Sequence, residues 1–309
     1  MAGLAVLVGV VMVLHGALAH VGLGNVLAQL MAIPRRQFMR ALGLLAGSFC
    51  VMLVYDVPGF LFARRLETFP PLRLRRVGFA SFCAYALSHV LGAPALSAAA
   101  VRLRLYAQWR VPAAGIARII ALSGSMFALG LTGLLAFLLL LYPADLPLFG
   151  HAVPGLMLRG VGGGLAALLL AYVLAAHRRP ALRLFGRNLA LPGSKLALAQ
   201  IMLSGLDITL ACAIFYVMLP VGSGLSYAHV LGIYMAAFAG GLFSGLPGGV
   251  GVFDSLLLLG LTGYMSPDAI LAAILLFRVL YFLAPASGAA LCYALHEVWI
   301  KITKNKEPG

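Results

Sequence analysis

Long runs of apolar residues, separated by short polar or basic connections, dominate this sequence. They lie at 3–18, 41–61, 77–98, 113–142, 155–176, 196–219, 226–246, 249–264 and 269–299. A helix needs about 20 apolar residues to cross the hydrocarbon core of a bilayer, and barrel strands would instead alternate over about ten residues. The sequence therefore predicts an all-α fold: a polytopic transmembrane bundle of about eight spanning helices with short broken or re-entrant half-helices.

The composition agrees with a membrane location. Only 10% of the 309 residues are charged, whereas soluble domains carry about 25%. The net charge of +14 comes from Arg and Lys at the ends of the apolar runs, which is typical of residues that set topology and contact anionic lipid headgroups. We therefore expect membrane lipids, and no nucleic acid, as partners. One membrane domain over 1–309, with no soluble domain, is predicted.

The charge of the connections predicts their sidedness. With a cytoplasmic C-terminal tail, the basic connections at 62–76 and 177–195 also lie inside, and the charge-poor ones at 143–154 and 220–227 lie outside. Residues 77–112 must then cross out and return. The arginines of 33–40 remain on the opposite side unless the run at 3–18 does not span. An interfacial helix is predicted at 21–32.

A weak internal similarity links the two halves of the chain. Ser88 and Ser244 each end a long apolar run in a glycine-containing segment, and Pro112 and Pro267 follow at nearly equal spacing. The halves, 1–150 and 151–300, would form inverted repeats, an architecture of transporters whose repeats meet at broken helices. Chance similarity between Gly- and Ala-rich segments explains the pattern equally well.

Charged side chains interrupt several apolar runs. An ionised group at the bilayer centre costs about 3 kcal/mol, so such residues face a cavity or a partner. Each alone fits a structural ion pair or a place near the interface, but together they predict a polar interior site: Asp56, Asp207, Asp254 and Arg278. Arg102 and Arg104 stand two residues apart, about 200° around a helix, so one should face the bundle and the other the headgroups.

The stretch GLPGGVGVFD, residues 245–254, breaks two apolar runs. Pro247 removes a backbone donor, and Gly248 and Gly249 permit a sharp turn. Polar backbone groups freed at membrane depth are tolerated only against protein or a wet cavity. A helix that begins near Val252 would point its positive end at that cavity and favour an anion, with Asp254 in its first turn. Two alternatives stay open: a tight packing turn, and a role of Asp254 as a simple N-terminal stabiliser of the helix.

Nucleotide and metal signatures do not occur in the sequence. It contains no G-x-x-x-x-G-K-[ST], no H-E-x-x-H and no C-x-x-C, and its cysteines are widely separated. We expect no cofactor, no metal and no enzymatic activity.

Six segments appear in an order typical of a known family: YDVPGF, ASFCAYALSHVLG, AAAVRLRLYAQWRVP, SGLDITLACAIFYVMLP, GLPGGVGVFDSLLL and FRVLYFLAP. Nearly the whole chain resembles the lysylphosphatidylglycerol synthase transmembrane family, or flippase-like domain. That family includes the flippase half of the bacterial multiple peptide resistance factor and stand-alone proteins, some of them associated with hopanoid lipids. The resemblance implies translocation of a lipid, such as an aminoacylated phosphatidylglycerol, between the leaflets of a bacterial inner membrane.

By the family's motifs, the resemblance assigns substrate-binding roles to eight residues: Asp56, Arg102, Arg104, Asp207, Gly248, Gly249, Asp254 and Arg278. Arg102 and Arg278 would hold the lipid phosphate, and the carboxylates would attract a headgroup amine or carry a coupling proton. Two departures matter. The family's soluble aminoacyl-transfer domain is absent, so the chain should not synthesise lysyl lipid, and Val90 replaces an asparagine after His89, which leaves the headgroup preference open.

Three functions remain open at this point. The first is a lipid flippase, acting as a homodimer or beside a separate lipid synthase. The second is a non-catalytic lipid-binding or assembly partner in hopanoid or other lipid transport. The third is a membrane enzyme that uses a carboxylate as a base on lipid headgroups.

Overall fold

The computed structural model describes residues 28, 31–143, 153–179, 181–184, 187–220 and 224–304. The predicted run at 3–18 and most of the predicted interfacial helix at 21–32 lie outside these residues. The α-helices are α1 Arg35–Val54, α2 Val57–Leu66, α3 Leu74–Leu91, α4 Pro94–Gln108, α5 Ala113–Leu141, α6 Gly155–Arg178, α7 Ser194–Tyr216, α8 Tyr227–Phe243, α9 Val252–Leu261, α10 Pro267–Phe277 and α11 Ala284–Lys304.

Three shorter elements complete the described chain. A 3₁₀ turn at Pro247–Gly249 precedes α9, and a π-helix at Arg278–Leu283 joins α10 to α11. Strands β1 Ala181–Leu184 and β2 Arg187–Ala190 pair antiparallel in the connection between α6 and α7. This small hairpin is an addition to the bundle, and the predicted all-α membrane architecture is confirmed.

The described residues contain five helical stretches that are long and apolar enough to cross a membrane. They are Arg35–Leu66, Ala113–Leu141, Gly155–Arg178, Ser194–Tyr216 and Pro267–Ile300. The first joins α1 to α2, and the last joins α10 to α11. Helices α8 and α9 are apolar but shorter. The predicted eight included the run at 3–18, which lies outside the described residues, and the runs at 77–98, 226–246 and 249–264 form the shorter helices α3, α8 and α9.

Helices α3 and α4 form the first of two hairpins. The turn between them uses Gly92 and Ala93, whose φ angles are 77° and 43°, and Pro94 then begins α4. At the base of the hairpin the Arg76 guanidinium lies 6.0 Å from the centroid of the Trp109 ring. Residues 77–112 therefore go out and return to the same end of the bundle, as the charge of the connections requires.

Helices α8 and α9 form the second hairpin, with the glycine-rich break at its tip. At its base the rings of His229 and Tyr264 are 5.0 Å apart. The two tips touch, because the Ala93 amide donates to the Gly245 carbonyl at 3.2 Å. A Cβ on Gly92 would lie 3.0 Å from Cγ of Pro247, so the tips approach closely.

The two hairpins enter the bundle from opposite ends. Three long helices, α5, α6 and α7, connect their bases, and an odd number of crossings changes the end. Broken helices that meet from opposite sides are a feature of inverted-repeat transporters. The division into repeats 1–150 and 151–300 stays a prediction.

The basic connections share one end of the bundle, called here the basic end. Arg65 Nη1 donates to the Pro192 carbonyl at 3.1 Å, which places the predicted connections 62–76 and 177–195 side by side. The C-terminal part of α11 lies there too, because the His296 ring makes an edge-on contact with Trp109, with 6.1 Å between the ring centroids. The arginines of 33–40 precede a complete crossing and so lie at the other end.

Candidate functional site

A cavity of about 400 Å³ lies where the two hairpin tips meet. Both hairpins, α5 and the break between α1 and α2 supply its walls. The polar part of the lining is Tyr55, Tyr85, Ser88, His89, Arg102 and Ser123, and aromatic rings include Phe127, Phe238, Phe243, Phe253 and Phe282. Phe243 is 84% exposed, so the cavity reaches the outer surface of the bundle. The space is therefore amphipathic and laterally accessible.

Asp56 and Arg102 form a buried ion pair behind the polar wall. Asp56 lies between α1 and α2 and is 0% exposed. Arg102 Nε donates to both carboxylate oxygens at 3.0 and 2.9 Å, and Nη2 donates to Oδ1 at 2.8 Å. The hydroxyls of Ser123 and Tyr106 also donate to Asp56, at 2.8 and 3.2 Å. This set of donors neutralises and solvates a carboxylate that water does not reach.

Arg104 lies outside the cavity. Its side chain is 60% exposed and pairs with Glu297 at 2.9 Å, beside the Gln108 amide that also donates to Glu297. The expected divergence of Arg102 and Arg104 is thus observed. Arg104 is therefore a correction to the predicted substrate-binding residues. Two residues along α4 correspond to a rotation of about 200°, so Arg104 points away from the other site residues.

Asp254 and Arg278 form a second ion pair, which braces the glycine-rich break. Arg278 Nη2 lies 2.7 Å from Oδ1 and 2.8 Å from Oδ2 of Asp254, and its Nη1 donates to the Gly248 carbonyl at 3.2 Å. The guanidinium also lies over the rings of Phe253 and Phe282, at 5.7 and 5.5 Å. The Arg278 guanidinium thus binds groups of the protein itself, and Arg278 does not border the cavity.

The start of α9 is already occupied by its own side chain. Asp254 Oδ2 accepts from the Gly251 amide at 2.9 Å, which caps the helix. Asp254 thus stabilises the N-terminus of α9, as one of the interpretations of the sequence expected, and binding of an external anion at this terminus stays a prediction.

Gly248 and Gly249 border the cavity and shape the break. Their φ angles are 61° and 60°, a left-handed conformation that side chains disfavour. A Cβ on Gly249 would lie 2.8 Å from the Gly241 Cα, so only a glycine fits between the arms of the hairpin. The predicted turn and the predicted cavity therefore occur together.

Asp207 is the isolated carboxylate of the site. It lies in the middle of α7 and is 4% exposed. Its Oδ2 accepts from the Tyr85 hydroxyl, which lies 3.3 Å from the Tyr281 hydroxyl, whereas Oδ1 has no hydrogen-bond partner among the described residues. In that part of the chain no cation lies within ion-pair distance of Asp207. Tyr85 borders the cavity and so connects Asp207 to it.

Comparisons with known proteins give the family. No family model matches the sequence. The chain is 30% identical over 277 residues to the inner membrane protein YbhN of Escherichia coli, covering 88% of this chain and 84% of YbhN. The chain belongs to the YbhN family. The protein slr0712 of Synechocystis is 32% identical over 287 residues, covering 92% of this chain and 87% of that protein.

Shorter matches connect this member of the YbhN family with phosphatidylglycerol lysyltransferases. The enzyme of Staphylococcus xylosus is 37% identical over 84 residues, which is 26% of this chain and 10% of the enzyme. That of Staphylococcus haemolyticus is 40% identical over 62 residues, or 20% of this chain and 7% of the enzyme. The resemblance described for the sequence is supported to this extent: the chain is an integral membrane protein related to a segment of these enzymes.

Three tyrosines of this YbhN-family site were not among the residues predicted from the sequence. Tyr85 and Tyr281 meet at Asp207, and the Tyr55 hydroxyl donates to Ser204 at 3.3 Å. In an apolar run a tyrosine resembles a packing or interfacial residue, so no local pattern distinguishes these three. The adjacency of Tyr55 and Asp56 in YDVPGF was the available signal.

Proposed function

We propose that this protein translocates a phospholipid between the leaflets of a bacterial inner membrane without altering it chemically. The observation that carries the proposal is the cavity between the two hairpin tips, which joins a wall backed by ion pairs to an aromatic wall that reaches the bundle surface. A lipid has the matching two parts. Its headgroup would occupy the cavity while its acyl chains stay in the bilayer beside Phe243.

Arg102 is the residue best placed to meet the lipid phosphate. It borders the cavity, and its Nη1 has no hydrogen-bond partner among the described residues, while Nε and Nη2 hold Asp56. A guanidinium can donate to a carboxylate and a phosphate oxygen at once because its donors are spread over a planar fork. Arg278, by contrast, would hold the glycine-rich break in shape.

The proposed substrate class is an anionic or aminoacylated phospholipid. The related enzymes are phosphatidylglycerol lysyltransferases, and a cavity of about 400 Å³ is large enough for such a headgroup. Asp207 would attract the amine of an aminoacylated headgroup, because a buried carboxylate without a cation gains strongly from acquiring one.

Reconstitution into liposomes tests the proposal. The purified chain is incorporated into vesicles that contain fluorescent phosphatidylglycerol, lysyl-phosphatidylglycerol or phosphatidylcholine, and the fraction of label accessible from outside is followed over time. We expect the first two lipids to cross faster than in protein-free vesicles. Saturable binding without any crossing would support the lipid-binding partner and reject the flippase. A hopanoid that crosses while both phospholipids do not would reject the substrate class.

Replacing Asp207 with asparagine should slow transport of lysyl-phosphatidylglycerol about tenfold, equivalent to about 1.4 kcal/mol. The amide keeps the volume and the bond to Tyr85 but loses the charge that attracts the amine. Transport of phosphatidylglycerol should change much less. Asp268→Asn, in the first turn of α10 and away from the cavity, is the matched control. Equal effects of Asp207→Asn on both lipids would contradict the assigned role.

A further inference from the structure

A second pocket lies at the basic end of the bundle, at the base of the first hairpin. Its volume is about 700 Å³, and none of its lining residues borders the cavity at the tips. Three parts of the chain converge on it: the connection before α3, the end of α4 and the end of α11. We call it the basic pocket and define it by Arg75, Arg76, Trp109, Arg110, His296 and Trp299.

The basic pocket concentrates positive charge. Arg75, Arg76 and Arg110 line it, and none of them has a carboxylate within 4.0 Å among the described residues. The neighbouring Glu297 is held by Arg104 and Gln108 instead. Guanidinium groups that lie on one concave surface without a carboxylate nearby attract an anion that can accept several hydrogen bonds, such as a phosphate.

Contacts within the protein hold part of the pocket in place. The Arg76 guanidinium lies 6.0 Å from the centroid of the Trp109 ring, the His296 ring lies 5.1 Å from Phe79, and its Nε2 lies 3.3 Å from Gln108 Oε1. A pre-formed site loses little conformational entropy on binding.

Tryptophan positions place the pocket at the level of lipid headgroups. The chain contains two tryptophans, Trp109 and Trp299, and both line this pocket. Tryptophan concentrates at membrane–water interfaces, and clustered arginines there bind anionic headgroups. Phosphate at this depth is supplied most abundantly by membrane phospholipid.

We propose that the basic pocket is a second binding site, separate from the transport cavity, for the phosphate of an anionic phospholipid headgroup. The proposal does not depend on translocation. It concerns equilibrium binding at the basic end. Lipid binding in the basic pocket can therefore be disproved while transport is observed, and transport can be disproved while binding is observed.

Intrinsic tryptophan fluorescence provides the test because both tryptophans line the pocket. The full-length chain in neutral detergent micelles is titrated with phosphatidylglycerol, with phosphatidylcholine, or with inorganic phosphate and glycerol phosphate. We expect a saturable change with phosphatidylglycerol, at least tenfold weaker binding for Arg75→Gln/Arg110→Gln, and little response to phosphatidylcholine. Both substituted arginines are exposed, so the variant should fold.

Arg159→Gln is the control, since it removes one exposed positive charge from α6, outside the pocket, and leaves the Arg104–Glu297 pair intact. A saturable response only to the soluble phosphates would overturn the assignment to lipid. Equal affinity of the double variant and the Arg159→Gln control would overturn the site.

Discussion

Replacing Arg102 with alanine is expected to destabilise the protein by about 3–5 kcal/mol and to abolish lipid transport. The substitution leaves Asp56 fully buried without a cation, and the Ser123 and Tyr106 hydroxyls that remain cannot neutralise it. It also removes the guanidinium that borders the cavity. Thermal unfolding of the purified protein in detergent measures the first effect, and the liposome assay measures the second.

Arg104→Ala is the internal comparison for this experiment. It removes the same side chain two positions away on α4, but from an exposed ion pair with Glu297, and such pairs contribute about 0–1 kcal/mol. The double variant Asp56→Asn/Arg102→Gln should recover stability relative to Arg102→Ala without recovering transport. Equal stability of Arg102→Ala and Arg104→Ala would show that the buried pair does not have the proposed importance.

Replacing Gly249 with alanine should have the second large effect, a loss of transport together with a loss of stability. The left-handed backbone alone costs about 1–2 kcal/mol, and overpacking adds about 1–3 kcal/mol. The added Cβ would lie 2.8 Å from the Gly241 Cα, so the arms of the second hairpin must separate. The tip would then move relative to Gly92 and Ala93 and change the cavity.

Gly245→Ala separates backbone strain from this clash. Gly245 also has a positive φ, 68°, but nothing lies within 4 Å of an added Cβ. We expect it to lose only the strain energy and to keep measurable transport. If both variants unfold at the same temperature and transport lipid equally, then close packing at the hairpin tip does not shape the cavity.

Local patterns predicted the membrane class, the positions of the breaks and most of the charged residues that the structure buries. Length and hydropathy determine whether a segment can cross a bilayer, and a charge or a glycine cluster inside an apolar run is visible without knowledge of its neighbours. Asp56, Asp207, Asp254 and Arg278 were found in this way. The roles of these side chains could not be predicted equally well from the sequence, because the role of a side chain depends on the groups that it contacts.

Arg278 illustrates the difference. The sequence shows an arginine in an apolar run, which is compatible with a phosphate ligand or an ion pair. Only the folded chain brings it to Asp254, 24 residues away, and between two aromatic rings. Arg102 and Asp56 are 46 residues apart in the chain. Arg102 is buried and Arg104 is exposed because of the way α4 is rotated against its neighbours.

The sequence by itself determined that this chain is a helical membrane protein with broken helices and buried charges, because hydropathy, breaks and unfavourable charges are properties of short segments. Tertiary structure alone decided that the two hairpins meet at their tips from opposite ends, that Asp56 and Asp254 pair with arginines while Asp207 accepts from a tyrosine, and that both tryptophans join three arginines in one pocket. These arrangements depend on distances between residues far apart in the chain, and packing of the helices sets those distances.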